Sequence, residues 1–116
     1  MKIPGIVIAA SASGSGKTAV AMAMMKAFKN AGKKVRACKC GPDYIDPMFH
    51  REVLGIDSEN LDLYFCDRER LKERFMHHAE SAELVVTEGV MGYYDGISLD
   101  SDQASTYDVA RTLGLP

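Results

Sequence analysis

A three-layer α/β fold, with helices covering both faces of a mostly parallel sheet, is what this 116-residue sequence predicts. Three observations carry that prediction. Ile3 to Ala10 is apolar almost throughout, the pattern of a strand covered on both faces. Strand-like and helix-like stretches then alternate to the end of the chain, as parallel strands joined by crossovers require. Between the first strand and the first helix lies Ser11-Ala-Ser-Gly-Ser-Gly-Lys-Thr18, a run of small residues ending in Gly-Lys-Thr.

That run has a chemical reading. A triphosphate brings several negative charges into a partly dry site, so the chain around it must offer many backbone N–H donors. Only small residues let it wrap that closely. Ser13, Gly14, Ser15, Gly16, Lys17 and Thr18 are therefore the predicted nucleotide-binding residues, with Lys17 reaching the β- and γ-phosphates and the Thr18 hydroxyl binding Mg²⁺. The pattern G-x-x-x-x-G-K-[ST] of a phosphate-binding P-loop is met except at its first position, where Ser11 stands in place of glycine. The strand before and the amphipathic helix after supply the context that the short motif lacks, and they specify the fold class as a P-loop NTPase.

Length and composition set bounds. At 116 residues the chain is one domain at most, too small for a complete doubly wound nucleotide-binding sheet of ordinary size. Residues 1–116 are thus expected to be the N-terminal part of an ATP-binding domain, truncated within its own fold. The 14 basic and 16 acidic residues nearly balance, which argues against nucleic-acid binding and membrane steering. No apolar run approaches the roughly 20 residues of a membrane span, and no signal-peptide pattern opens the chain, so a cytoplasmic location is expected. Cys38, Cys40 and Cys66 are odd in number and lack C-x-x-C spacing, which favours reduced thiols over disulfides or a zinc knuckle.

The remaining elements follow in order. Ile3–Ala10 is expected as a central strand, and Val20, Met24, Ala27 and Phe28 mark one face of a helix from Lys17 to Ala31, closed by Gly32 as its C′ glycine. Lys34–Cys40 reads as a second, parallel strand reached by a right-handed crossover. Alternation places Lys39 on the face opposite Cys38 and Cys40, at the carboxyl end where open α/β sheets bind ligands. A lysine there either neutralises phosphate charge or is a solvated strand-end residue. In Gly41-Pro-Asp-Tyr-Ile-Asp-Pro47 two carboxylates stand near the predicted phosphates, an arrangement that asks for a divalent cation. Asp46 before Pro47 reads as the N-cap of a helix from Pro47 to Leu54, so Asp43 is the predicted metal ligand.

Ser58–Phe65 shows no clear element beyond a turn at Asn60-Leu-Asp62. Asp67 caps a helix through Leu71, Phe75 and Ala79. His77 and His78 near its end lack metal spacing and His50 looks remote, so none of the three is a predicted ligand. Glu83–Thr87 is an apolar strand, and Glu88 at its tip stands where a P-loop protein holds Mg²⁺. Gly89 to Gly96, with Tyr93-Tyr94, either closes over a flat organic substrate or is an ordinary connection. Ser105-Thr-Tyr-Asp108 is a capping box for a helix through Leu113, with Gly114 after it.

Taken together, Ser13-Gly-Ser-Gly-Lys-Thr18, Gly41-Pro-Asp-Tyr-Ile-Asp-Pro47, Asn60-Leu-Asp62 and Glu88-Gly-Val-Met-Gly-Tyr-Tyr-Asp-Gly96 resemble the cobyrinic acid a,c-diamide synthase family, in that order along the chain. The resemblance spans all 116 residues but only the N-terminal part of that family's longer chains. It implies a domain similar in fold to dethiobiotin synthetase, followed by a glutaminase domain, and an ATP- and glutamine-dependent ligase that amidates the a and c carboxylates of a corrin through an acyl phosphate. On this likeness Lys17, Lys39, Asp43 and Glu88 are catalytic, Thr18, Asp43 and Glu88 surround Mg²⁺, and Tyr44 and Asp95 bind the macrocycle. Ammonia would come from glutamine in the absent domain, leaving this chain inactive alone. Alternatives are a relative acting on nickel-sirohydrochlorin, a dethiobiotin-synthetase-type ligase, or a partition-type ATPase switch; the extra lysine of the last is absent at Ala12. Unpaired sheet edges in a truncated fold predict self-association.

Overall fold

In the computed structural model, which describes residues 4–12, 14, 16–63, 66–96, 101 and 103–116, strands and helices alternate strictly. The order is β1 (Gly5–Ile8), α1 (Lys17–Asn30), β2 (Val35–Cys40), α2 (Ile45–Glu52), β3 (Ser58–Leu61), α3 (Arg68–Ala79), β4 (Leu84–Glu88) and α4 (Thr106–Leu113). One four-stranded sheet results, ordered β1-β4-β2-β3, and every pairing is parallel. Among the described residues no helix is long and apolar enough to cross a membrane.

Strand alternation sorts the core into two halves. Cys38, Cys40 and Val85 point to one face, where Leu71, Phe75 and Ala79 of α3 and Val109 of α4 cover them. Ala37 and Val86 point to the other, against Ala21 and Met25 of α1 and Ile56 after α2. This is the predicted three-layer arrangement, and it decides the site: Lys39 follows Ala37 on its face and Glu88 follows Val86 on its face, so both side chains rise on the α1 side.

Several readings of the sequence need correction, beginning with α1, whose buried residues are Ala21 and Met25 whereas Val20 is 51% exposed. β1 is half-buried and ends the order of the described strands, and on the side away from β4 its Val7 N–H donates to Pro116 O at 2.8 Å. β3, Ser-Glu-Asn-Leu, was hidden by its polar composition; it pairs only with β2, an edge position where such residues are tolerated. The strand around Val85 runs to Glu88 and is the fourth rather than the third. α2 starts at Ile45, two residues before Pro47, and Asp46 lies inside its first turn without capping it. The Asp43 carboxylate accepts the Ile45 N–H at 2.8 Å and performs that task instead.

The capped helices follow expectation. Asp67 accepts the Arg70 N–H at 2.8 Å to open α3, and Ser105 accepts the Asp108 N–H at 3.1 Å to open α4. Asp108 itself is fully buried; it receives Arg68 at 2.8 and 2.9 Å, Arg111 at 3.1 Å and the N–H of Ala104, a residue at φ 65°, at 2.9 Å. Burial opposes the Asp108 charge, but these donors outweigh it and hold the carboxyl below its usual range. Its contribution to stability is therefore present above the ordinary carboxylate pKa and is lost as pH falls through the lower folded value. Asp108→Ala is expected to cost about 2–3 kcal/mol at neutral pH in urea unfolding, with a smaller difference in acid.

Candidate functional site

The loop between β1 and α1 prepares an anion site before any side chain is considered. Gly14 and Gly16 sit at φ 76° and 88°, a region strained for other residues. Gly16 ends the loop, and Lys17 begins α1 with no side-chain cap and no acidic residue in the first turn. Among the described residues no side chain caps the first amides of α1, which point to the end where the helix dipole is positive and an external anion is favoured. Ser13 and Ser15 lie outside the described residues.

Behind that helix start the adjacent tips of β2 and β4 bring their charged residues into register, Lys39 opposite Glu88. Both are buried. The Lys39 ammonium donates to Glu88 Oε2 at 2.7 Å, to Asp46 Oδ2 at 2.8 Å and to Gly89 O at 3.1 Å, with Asp43 Oδ2 at 3.6 Å. Thr18 crosses from α1 to donate its hydroxyl to the same Glu88 oxygen at 2.9 Å. Thr18, Lys39, Asp43 and Glu88, from three separate stretches of sequence, therefore meet at one place, and Lys39 is not a solvated strand-end residue.

Charge decides the character of this cluster. Desolvation works against the Glu88 carboxylate, yet the polar groups around it, His50, Asp46 and the bonded Lys39 ammonium, prevail and keep it well below the usual carboxylate range. Asp46 moves the other way: burial and the neighbouring Glu88 carboxylate raise it, against the pull of Lys39. Burial disfavours the Lys39 cation, but Asp46 and Glu88 more than compensate and raise it. Lys39 is the charge that lets two acids coexist here. Lys39→Met is expected to lose about 3–5 kcal/mol at pH 7, because it strands buried carboxylates. The sign with pH then inverts. In the wild type the low Glu88 value stabilises the fold above about pH 4.5 and is lost on acidification through that value. In the variant the acids titrate high, so urea unfolding should show stability recovering as pH falls towards about 5.

Two members of the cluster were missed in the sequence. Asp46 reaches Lys39, and His50, buried on the same helix, places Nε2 3.6 Å from Glu88 Oε1. His50 is not remote. The signal was their four-residue spacing, which puts both on one face of a helix; the apparent Asp-Pro start concealed it. His78 is buried but bonds Ala37 O at 2.8 Å, and His77 is exposed.

The second loop packs against the first. Tyr93 N–H donates to Ala10 O at 2.7 Å, and a Cβ on Gly92 would come within 2.6 Å of Ser11 O, so only glycine permits that approach. Asp95 accepts the Gly92 N–H at 2.8 Å, and Tyr93, Tyr94 and Tyr107 gather with ring centroids 4.9–5.6 Å apart. The segment is thus anchored to the base of the phosphate loop. Tyr94 projects into solvent from it, as Tyr44, 78% exposed, does from the loop after β2. Asn60 of β3 ties that loop down through Gly41 O at 2.9 Å and Asp43 O at 2.5 Å.

Among the described residues no group of three His, Cys, Asp or Glu side chains forms a ready-made metal centre. The donors present are hard oxygens, the Thr18 hydroxyl and the Asp43 and Glu88 carboxylates. That set fits Mg²⁺, which is ordinarily held by one or two carboxylates together with substrate phosphates and water.

A parallel sheet whose first strand runs into a glycine-bounded helix start, with a buried acid on the tip of the strand beside it, defines a P-loop NTPase domain. The chain belongs to the CobQ/CobB/MinD/ParA nucleotide binding domain family, whose pattern matches residues 6–111. It is 46% identical over its whole length to a cobyrinate a,c-diamide synthase of Thermoplasma volcanium, and 47% identical over 96% of its length to one of Gloeobacter violaceus. A hydrogenobyrinate a,c-diamide synthase of Streptomyces coelicolor is 46% identical over 98% of this chain. The chain spans about a quarter of the length of these relatives, 25%, 25% and 24% respectively.

Proposed function

We propose that this chain binds Mg·ATP between the α1 start and the tips of β2 and β4, and supplies the ATP-using site of a ligase that amidates the a and c carboxylates of cobyrinic acid in cobalamin synthesis. The observation that carries the reading is the meeting of Thr18, Lys39, Asp43 and Glu88 beyond an uncapped helix start. The names of the relatives supply the substrate class.

A carboxylate does not react with ammonia at neutral pH. In this reading a carboxylate oxygen of the macrocycle attacks the γ-phosphorus of ATP and ADP leaves; ammonia then attacks the acyl carbon and phosphate leaves. The protein's share is alignment and stabilisation of charge. Ser13 to Gly16 and the first amides of α1 hold the phosphates, Lys17 follows the charge on the transferring group, and Lys39 stands ready to neutralise phosphate from behind. Thr18, Asp43 and Glu88 would hold Mg²⁺, which when bound draws charge from the β- and γ-oxygens. Tyr44 and Asp95, on the two flanking loops, bind the macrocycle and its carboxylates. Glutamine hydrolysis belongs to sequence outside residues 1–116; Cys38 and Cys40 are buried, and burial pushes the Cys40 thiol up to about 12, so neither suits a nucleophile.

The test joins this chain to the remaining length of its relatives and supplies ATP, glutamine and cobyrinic acid. Formation of the diamide with two ADP per macrocycle supports the reading; ATP turnover indifferent to any macrocycle contradicts it. The Streptomyces coelicolor relative favours one second reading, a cobalt-free macrocycle as substrate, and the same assay with hydrogenobyrinic acid separates the two.

A further inference from the structure

The deepest part of the cluster contains a pair of atoms that the scheme above leaves unused. Glu88 Oε2 receives both Thr18 and Lys39, whereas Oε1 has no hydrogen-bond partner although it is buried. His50 Nε2 is likewise buried without a partner and faces that oxygen across 3.6 Å. The other ring nitrogen, Nδ1, lies 2.8 Å from the Ser58 hydroxyl of β3. Two orphaned polar atoms pointed at one another in a dry interior are costly apart, and a shift of under about 1 Å makes them a hydrogen bond.

We infer that His50 is a positioning residue for Glu88: its neutral ring donates Nε2–H to Glu88 Oε1, and Ser58 donates its hydroxyl to Nδ1, fixing both the tautomer and the carboxylate plane. The inference rests on the reading of Glu88 as an acid of the Mg·ATP site. It follows from the division of labour between the two oxygens. Without a donor on Oε1 the carboxylate is free to rotate, and the oxygen that faces Thr18 loses its fixed direction. A ring N–H held from its far side by β3 removes that freedom, the usual way an outer partner orients a metal-binding group. The relay Ser58 to His50 to Glu88 also explains why polar β3 is tolerated beneath the site: its first residue is a donor that the ring requires.

Two measurements on the 116-residue chain test this. In the wild type without metal, ¹⁵N spectra of the imidazole should show a protonated Nε2 and an unprotonated Nδ1; the reverse tautomer would overturn the assignment, since Oε1 would then face a lone pair. The second is the Mg²⁺ concentration that gives half-maximal ATP binding. His50→Asn, whose amide reaches only the Nδ1 position, should raise it about tenfold, and His50→Gln, whose amide reaches the Nε2 position, should return it to within about threefold of wild type. ATP affinity without Mg²⁺ should stay the same in all three. Asn and wild type alike, or Asn and Gln equally impaired, contradicts a positioning role. Wild type that binds ATP without regard to Mg²⁺ overturns the reading of the site instead, and the tautomer still decides the hydrogen bond.

Discussion

Replacing Lys17 with alanine is expected to weaken Mg·ATP binding by about 10- to 100-fold while leaving the fold in place. The estimate follows from position. Lys17 is the first residue of α1, directly after Gly16 at φ 88°, so its chain departs from the point where the first helix amides converge. A charge-assisted hydrogen bond from an ammonium to a phosphate oxygen in such a partly dry site contributes about 1.5–3 kcal/mol, which is that range of affinity. Alanine is the best helix former, so stability at this half-exposed site should move by no more than about 0.5 kcal/mol. Calorimetric titration of both chains reads the affinity, and thermal unfolding reads the fold. An unchanged dissociation constant would place the phosphates elsewhere.

Glu88→Gln is expected to have the largest effect on turnover, a loss of about 10²- to 10³-fold in the ligase that carries this site, with a rise in the Mg²⁺ requirement. The substitution preserves volume and leaves an amide oxygen that can still accept from Thr18 and Lys39. What it removes is the charge. Because Lys39 retains Asp46 at 2.8 Å, the fold should suffer less than in Lys39→Met, where both acids lose their counter-ion. Comparing the two variants therefore separates the chemical use of the cluster from its structural use: Lys39→Met should unfold at lower denaturant, Glu88→Gln should fold and fail in Mg²⁺-dependent steps. Equal activity of Glu88→Gln and wild type would remove Glu88 from the chemistry.

Which parts of this were legible in the sequence follows from how local the signals are. The α/β class, the start of α1 at Lys17, the caps at Asp67 and Ser105 and the terminal glycines at 32 and 114 depend on contacts within a few residues, and each appears as read. The burial of Lys39 and Glu88 was not legible, because it depends on β2 and β4 being neighbours although α2, β3 and α3 separate them in the chain. Asp43 holds the start of α2 as well as facing the cluster, and Asp46, read as the cap, joins Lys39 instead, for a similar reason. Asp-Pro is a strong local start signal, but the chain already enters α2 at Ile45, held by Asp43, and this turns Asp46 inward to a lysine seven residues earlier. His50 looked isolated only because its partner lies 38 positions along the sequence, across the sheet.

A crystal structure of the chain with Mg²⁺ and a non-hydrolysable ATP analogue tests the central claim most directly. The account predicts a cation beside the phosphates that Thr18, Asp43 and Glu88 would hold, directly or through water, with the phosphates lying over the first amides of α1. Nucleotide bound away from α1, or a cation touching neither Thr18 nor the Glu88 shell, would contradict it.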